Sequence, residues 1–213
     1  MGRDTVHIPQ YAEDLFAPTP LQKKEGIDLV FAGNVGKLQA ATTMVRAAAL
    51  LKDRRDIRWH IVGSGSTLDE CKALCQELGA EDVMTFYGRR PLEDMPSFYE
   101  MADALLITLM KGDEITRVLP GKVQSYMAAG RAIIGAANGE TMRVVHDAGC
   151  GEIAASEDFI TLAKIADKLS KDKKALSDYG QMARRYYDNN FSEQIFYDRF
   201  NQQFAKLMEK RHV

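Results

Sequence analysis

The sequence predicts an α/β fold: a doubly wound parallel sheet followed by helices. Three observations point there. Short apolar runs recur along the chain, and three of them end in glycine: "IDLVFAG" (27–33), "IRWHIVG" (57–63) and "VMTFYG" (83–88). Stretches with helical spacing separate these runs. From residue 158 onward the chain keeps the helical period and shows no strand. Strand-length apolar runs alternating with helices define a parallel sheet covered on both faces.

Residues 1–25 come first and have no period, because Pro9, Pro18 and Pro20 interrupt them. They read as a connector leaving an earlier element, so the chain is expected to be a fragment of a longer protein. The strand at 27–33 is followed by a helix carrying Leu38, Ala41, Val45, Ala48 and Leu51. After 57–63 a helix is expected near Ser66, with Asp69 at the capping-box spacing. The strand at 83–88 leads into a helix around 92–101. "ALLITL" (104–109), "AIIGAA" (132–137) and a weaker "CGEIAA" (150–155) complete the strands, with a helix starting at Pro120–Gly121 between the first two. This makes a domain over 26–157. Residues 158–213 add two or three helices expected to pack on it. The last carries Ile195, Phe196, Phe200, Phe204 and Leu207, a stripe that either packs on this domain's sheet or crosses onto a neighbouring domain.

The bulk numbers exclude several classes. With 28 basic and 30 acidic residues the net charge is −2, so nothing in the balance suggests a nucleic-acid binder. Cys71, Cys75 and Cys150 make no disulfide framework and no zinc set; they read as small buried side chains in a reducing compartment. No signal peptide is present, and no apolar run approaches the roughly 20 residues of a membrane span. His60, inside a strand, reads as a satisfied core histidine.

Ligands of an open α/β sheet gather outside the carboxyl ends of its strands, so the turns there are the candidates. Gly33-Asn34-Val35-Gly36-Lys37 joins the first strand to its helix, but the spacing is neither G-x-G-x-x-G nor a P-loop. The second turn contains Gly63 and Gly65, without the terminal acid that binds ribose in dehydrogenases. Gly88 and Arg89 close the third strand. The strongest candidate is "LPGKVQSYMAAG" (119–130). Pro120 suits a first helical position, Gly121 leaves amides uncovered, and Lys122 puts a cation at an electropositive helix start. That charge is out of place unless an anion joins it.

"LPGKVQSYMAAGRAII" with "NGETMRVVHDAGCGEIA" resembles the donor-binding half of a family 4 glycosyltransferase of the GT-B type. "FAGNVGKLQA", "WHIVGSGSTLDE" and "VMTFYGRRPLEDMPSFYEMADALLI" fall in matching order, so the likeness runs over about residues 27–155. It implies the Rossmann-like C-terminal half of a two-domain, retaining enzyme. That enzyme would move a sugar from a nucleotide-diphosphate sugar, such as a UDP- or GDP-sugar, to an acceptor hydroxyl in polysaccharide or glycoconjugate synthesis. It implies no cofactor and no metal, and a missing N-terminal half that binds the acceptor. It further implies a cytoplasmic protein at the inner membrane face, acting on a membrane-linked glycan acceptor. Position by position, Lys37 matches a basic diphosphate contact, Gly33 and Asn34 a turn where relatives have Gly-Arg, and Gly88 and Arg89 the turn beside the base. Pro120, Gly121, Lys122 and Val123 match the segment whose amides face the diphosphate. Arg117 and Ser125 stand where many relatives carry two glutamates; Gln124 or Ser125 is left to meet the ribose. No catalytic residue is assigned. A sugar-nucleotide epimerase half and a non-catalytic nucleotide-binding module remain as competing readings.

Overall fold

The computed structural model describes residues 6–209; the outer ends of the first and last expected segments, residues 1–5 and 210–213, lie outside them. Six strands, β1 (Ile27–Ala32), β2 (Ile57–Val62), β3 (Met84–Gly88), β4 (Ala104–Thr108), β5 (Ala132–Ala136) and β6 (Gly151–Ala154), form one sheet in the order β3-β2-β1-β4-β5-β6. Every pairing is parallel. All six predicted strands are therefore present. The chain winds outward from β1 to β3, returns beside β1 as β4, and continues the other way. The loops after β1 and β4 diverge at this reversal, which leaves a crevice above the carboxyl ends.

The strands β1, β4 and β5 are buried along their whole length, so their sequences are continuous apolar runs. Alternate side chains enter two separate cores. Leu29, Phe31 and Trp59 pack under α1 (Thr42–Leu50), α2 (Leu68–Leu78) and α6 (Phe159–Ser170). Val30, Leu105 and Ile107 pack under α3 (Met95–Met101), α4 (Gly121–Ala128), α5 (Glu140–Ala148) and α7 (Lys173–Asn190). Helix α5, framed by Gly139 and Gly149, was not marked by the apolar spacing. The capping box expected at α2 is absent. Thr67 is the N-cap there, and its hydroxyl donates to the Val35 carbonyl at 2.9 Å, tying one loop to the next.

The three cysteines are buried and free. His60 is satisfied as expected: its Nε2 lies 2.8 Å from Asp28 Oδ1 and its Nδ1 3.0 Å from the Tyr87 hydroxyl. Burial opposes ionisation of Asp28, yet hydrogen bonds from His60, Arg58 and Lys24 hold its carboxyl well below the usual range. This cluster starts at the amino end of β1, away from the crevice.

Two regions depart from the simplest expectation. Residues 6–25 are irregular but packed rather than loose. Phe16 stacks on Tyr99 at 4.8 Å, the Ala12 amide donates to the Tyr187 hydroxyl, and buried Arg131 donates to the Thr19 carbonyl at 2.6 Å. The other region is α8 (Glu193–Glu209), whose Tyr197, Phe200, Phe204, Leu207 and Met208 are 43–63% exposed. Its apolar stripe does not close on the sheet. Among the described residues, no helix is long and apolar enough to cross a membrane.

Candidate functional site

Helix α4 starts one residue later than its sequence suggested. Pro120 is the extended N-cap, and Gly121 is the first helical residue. A proline cap offers no side-chain acceptor, so the first amides depend on something else. The Val123 amide donates to the Pro120 carbonyl at 2.9 Å and its side chain is core, so Val123 does not face a ligand. Gln124 is also withdrawn: with its carboxamide nitrogen turned inward it donates to the Gly121 and Pro120 carbonyls at 3.0 and 3.1 Å. Among the described residues, the Gly121 and Lys122 amides meet no acceptor.

The Lys122 side chain bends from this helix start toward β1. Its Nζ is buried without a hydrogen-bond partner and lies 3.8 Å from the centroid of the Phe31 ring. Burial pulls the ammonium down to about 7. A ring face attracts a cation, but a single phenyl does not replace the lost hydration. Gly33 makes the placement possible: a Cβ there would stand 3.0 Å from Lys122 Nζ, and its φ of +136° lies in the region that favours glycine.

This lysine borders a hollow of about 410 Å³ that Gly33, Gly121 and Ser125 line with Gln10, Glu13 and Arg90. A second hollow of about 280 Å³ is lined by Gly33, Asn34, Gly63, Arg89 and Arg90. Gly33, Arg90 and Met95 border both, so one trough runs over the carboxyl ends of β1, β2 and β3. The larger groove of about 870 Å³ between residues 18–21 and α7 lies at the opposite end of the sheet. Its buried cation, Arg131, is already fully engaged with carbonyl and hydroxyl oxygens. The chemistry therefore points to the trough and not to this larger groove.

Seven of the predicted positions meet there: Gly33, Asn34, Gly63, Arg89, Gly121, Lys122 and Ser125. Others do not. Gly65 serves the fold, since a Cβ there would overlap the Val35 backbone. Lys37 is exposed on a short 3-10 turn and Arg117 ends another, and neither lines the trough. Gly88 forms the turn with φ +69°, and Pro120 acts only as the cap. Missed from the sequence were Gln10, Tyr11, Glu13 and Phe16, the outer wall of the larger hollow. Their signal was Tyr11, Leu15 and Phe16, which need cover, in a segment without a period.

The unmatched amides and orphaned cation of this open α/β domain lie at its switch point, where ligands of such sheets gather. The chain belongs to the family of glycosyl transferases group 1, whose model matches residues 13–186. It is 27% identical over 172 residues to the probable glycosyltransferase WbjE of Pseudomonas aeruginosa, covering 80% of this chain and 42% of that one. The chain thus spans less than half of that relative's length. The fold recurs in a glycosyltransferase from Rickettsia africae, with a TM-score of 0.79, 16% identity, and coverage of 95% of this chain and 57% of the other. It recurs also in Anabaena Alr3699/HepE, a structure in complex with UDP, with a TM-score of 0.73, 17% identity, and coverage of 87% and 49%. The GT-B assignment made from the motifs holds. Among the described residues no group of three His, Cys, Asp or Glu side chains is placed to hold a metal ion.

Proposed function

We propose that this chain is the donor-binding half of a retaining glycosyltransferase that takes its sugar from a nucleotide-diphosphate sugar. The carrying observation is Lys122, a buried and partnerless amine beside two unmatched amides in an open hollow. A diphosphate supplies the missing acceptor and charge there. The base then lies along the trough toward Asn34, Gly63 and Arg89. The sugar's C1–O bond to the phosphate breaks, the acceptor hydroxyl oxygen bonds to C1, and that hydroxyl's proton passes to an oxygen of the leaving phosphate. The negative charge gathers on the leaving diphosphate, where amides and a cation stabilise it without a metal or cofactor.

The acceptor is bound by a second, N-terminal half, and the open face of α8 is suited to lie against it. The complete enzyme works at the cytoplasmic face of a membrane on a lipid-linked glycan, in polysaccharide synthesis. WbjE, called a probable glycosyltransferase, fits this reading. Calorimetry of the chain with UDP, GDP and their sugars tests it: micromolar-to-millimolar binding of one nucleotide series is expected, without sugar transfer. Absence of any nucleoside diphosphate binding at millimolar concentration refutes it.

A further inference from the structure

The segment ahead of β1 has a place in the site that its sequence did not disclose. Gln10 lies directly on the start of α4: its Nε2 fills the space that any side chain at Gly121 would occupy. The segment is pinned directly after that contact. Tyr11 packs edge-on against Phe196 of α8 at 5.3 Å, the Ala12 amide donates to the Tyr187 hydroxyl at 3.2 Å, and Phe16 stacks on Tyr99. Gln10 is exposed, lines the same hollow as Lys122 and, among the described residues, has no protein hydrogen-bond partner for its carboxamide.

Four donor groups thus border one hollow with no protein acceptor among the described residues: the Gly121 and Lys122 amides, the Lys122 amine and the Gln10 carboxamide. Converging donors repel one another and are stabilised together by an anion. We propose that Gln10 is a further ligand-binding residue, donating from its carboxamide to the phosphate held at the start of α4. Segment 10–16 is then a wall of the site and not a connector. The inference rests on the donor-binding reading above, and it explains the glycine at 121, since any larger residue displaces Gln10.

The test is calorimetry on the whole chain with UDP and with inorganic pyrophosphate, comparing wild type with Gln10→Ala and Gln10→Glu. Gln10→Ala is expected to weaken both ligands about fivefold, the net worth of one neutral hydrogen bond. Gln10→Glu is nearly isosteric and places a carboxylate beside the helix start and Lys122. It is expected to weaken binding further while the melting temperature stays level or rises. A purely structural role moves affinity and melting temperature down together, and that result overturns the proposal. So does a Gln10→Ala variant that binds as tightly as wild type, or tighter. If wild type itself binds neither UDP nor pyrophosphate, the donor-binding reading falls first and this inference with it.

Discussion

Lys122→Met is the most informative perturbation. The folded protein holds this amine near 7 against an ordinary 10.5, so at or below pH 7 the buried ammonium destabilises the free protein. The difference of 10.5 − 7 is about 3.5, which at about 1.4 kcal/mol per pH unit sets a ceiling of about 5 kcal/mol. Between pH 7 and 10.5 the unfolded chain binds more protons than the folded one, so wild-type stability rises with pH through that window. Methionine fits over Phe31 without a charge and removes the dependence. Urea unfolding should therefore find Lys122→Met more stable than wild type at pH 7. The gap should shrink by about 2 kcal/mol at pH 9, because the folded amine is already half deprotonated at pH 7. Saturating UDP should narrow the gap at pH 7, since wild type gains more from the ligand. A gap that does not change with pH refutes the reasoning, as does a variant that binds UDP like wild type.

Gly63→Ala forces a Cβ into the Gly33 carbonyl at a φ of +140°, so a loss of about 2–4 kcal/mol and of nucleotide binding is expected in urea unfolding and calorimetry. Asp28→Asn breaks the cluster with His60, Arg58 and Lys24 and should lose about 3 kcal/mol at neutral pH, read by urea unfolding. Because the Asp28 carboxyl is held low in the fold, wild type should lose that contribution as pH falls below about 4, and the variant should show a flatter acid limb. Phe204→Glu, on the open face of α8, should shift the stability of this chain by no more than about 0.5 kcal/mol, read by urea unfolding.

Most of the sheet was legible because central parallel strands must be apolar on both faces, a pattern that "IDLVFAG" and "ALLITL" cannot share with a loop. The unusual place of Lys122 was legible for a different reason: a cation at a helix start conflicts with the local dipole, and the structure finds its amine buried and unpartnered at the trough. Lys37 shows the limit of that logic. It stands at a comparable place in sequence, but its loop folds into a 3-10 turn that leaves it exposed. The capping box expected from Ser66 is absent because Thr67 is the N-cap of α2, and its hydroxyl donates to the Val35 carbonyl instead of accepting from the helix, a tertiary contact outside any local window. Gln10 was invisible for the same reason, since 111 − 1 residues of intervening chain separate it from Gly121.

Two buried cations in this domain show how the ligand site differs from structural burial. Arg131 is 1% exposed, and its guanidinium donates to Tyr99 O, Thr19 O, Thr19 Oγ1 and Glu100 O. Those acceptors are backbone and hydroxyl oxygens that the fold supplies, so the charge holds segment 6–25 against the sheet. Lys122 is withdrawn from water in the same way, and the fold supplies its Nζ with nothing beyond the Phe31 ring. A long apolar side chain would fill that volume without loss, so no packing requirement accounts for an amine there. The unmatched amides of Gly121 and Lys122 stand beside it, and glycine at 33 keeps its approach open. On the donor-binding reading, the group that completes this site is an anion entering from the trough with acceptors on more than one side, as a diphosphate has.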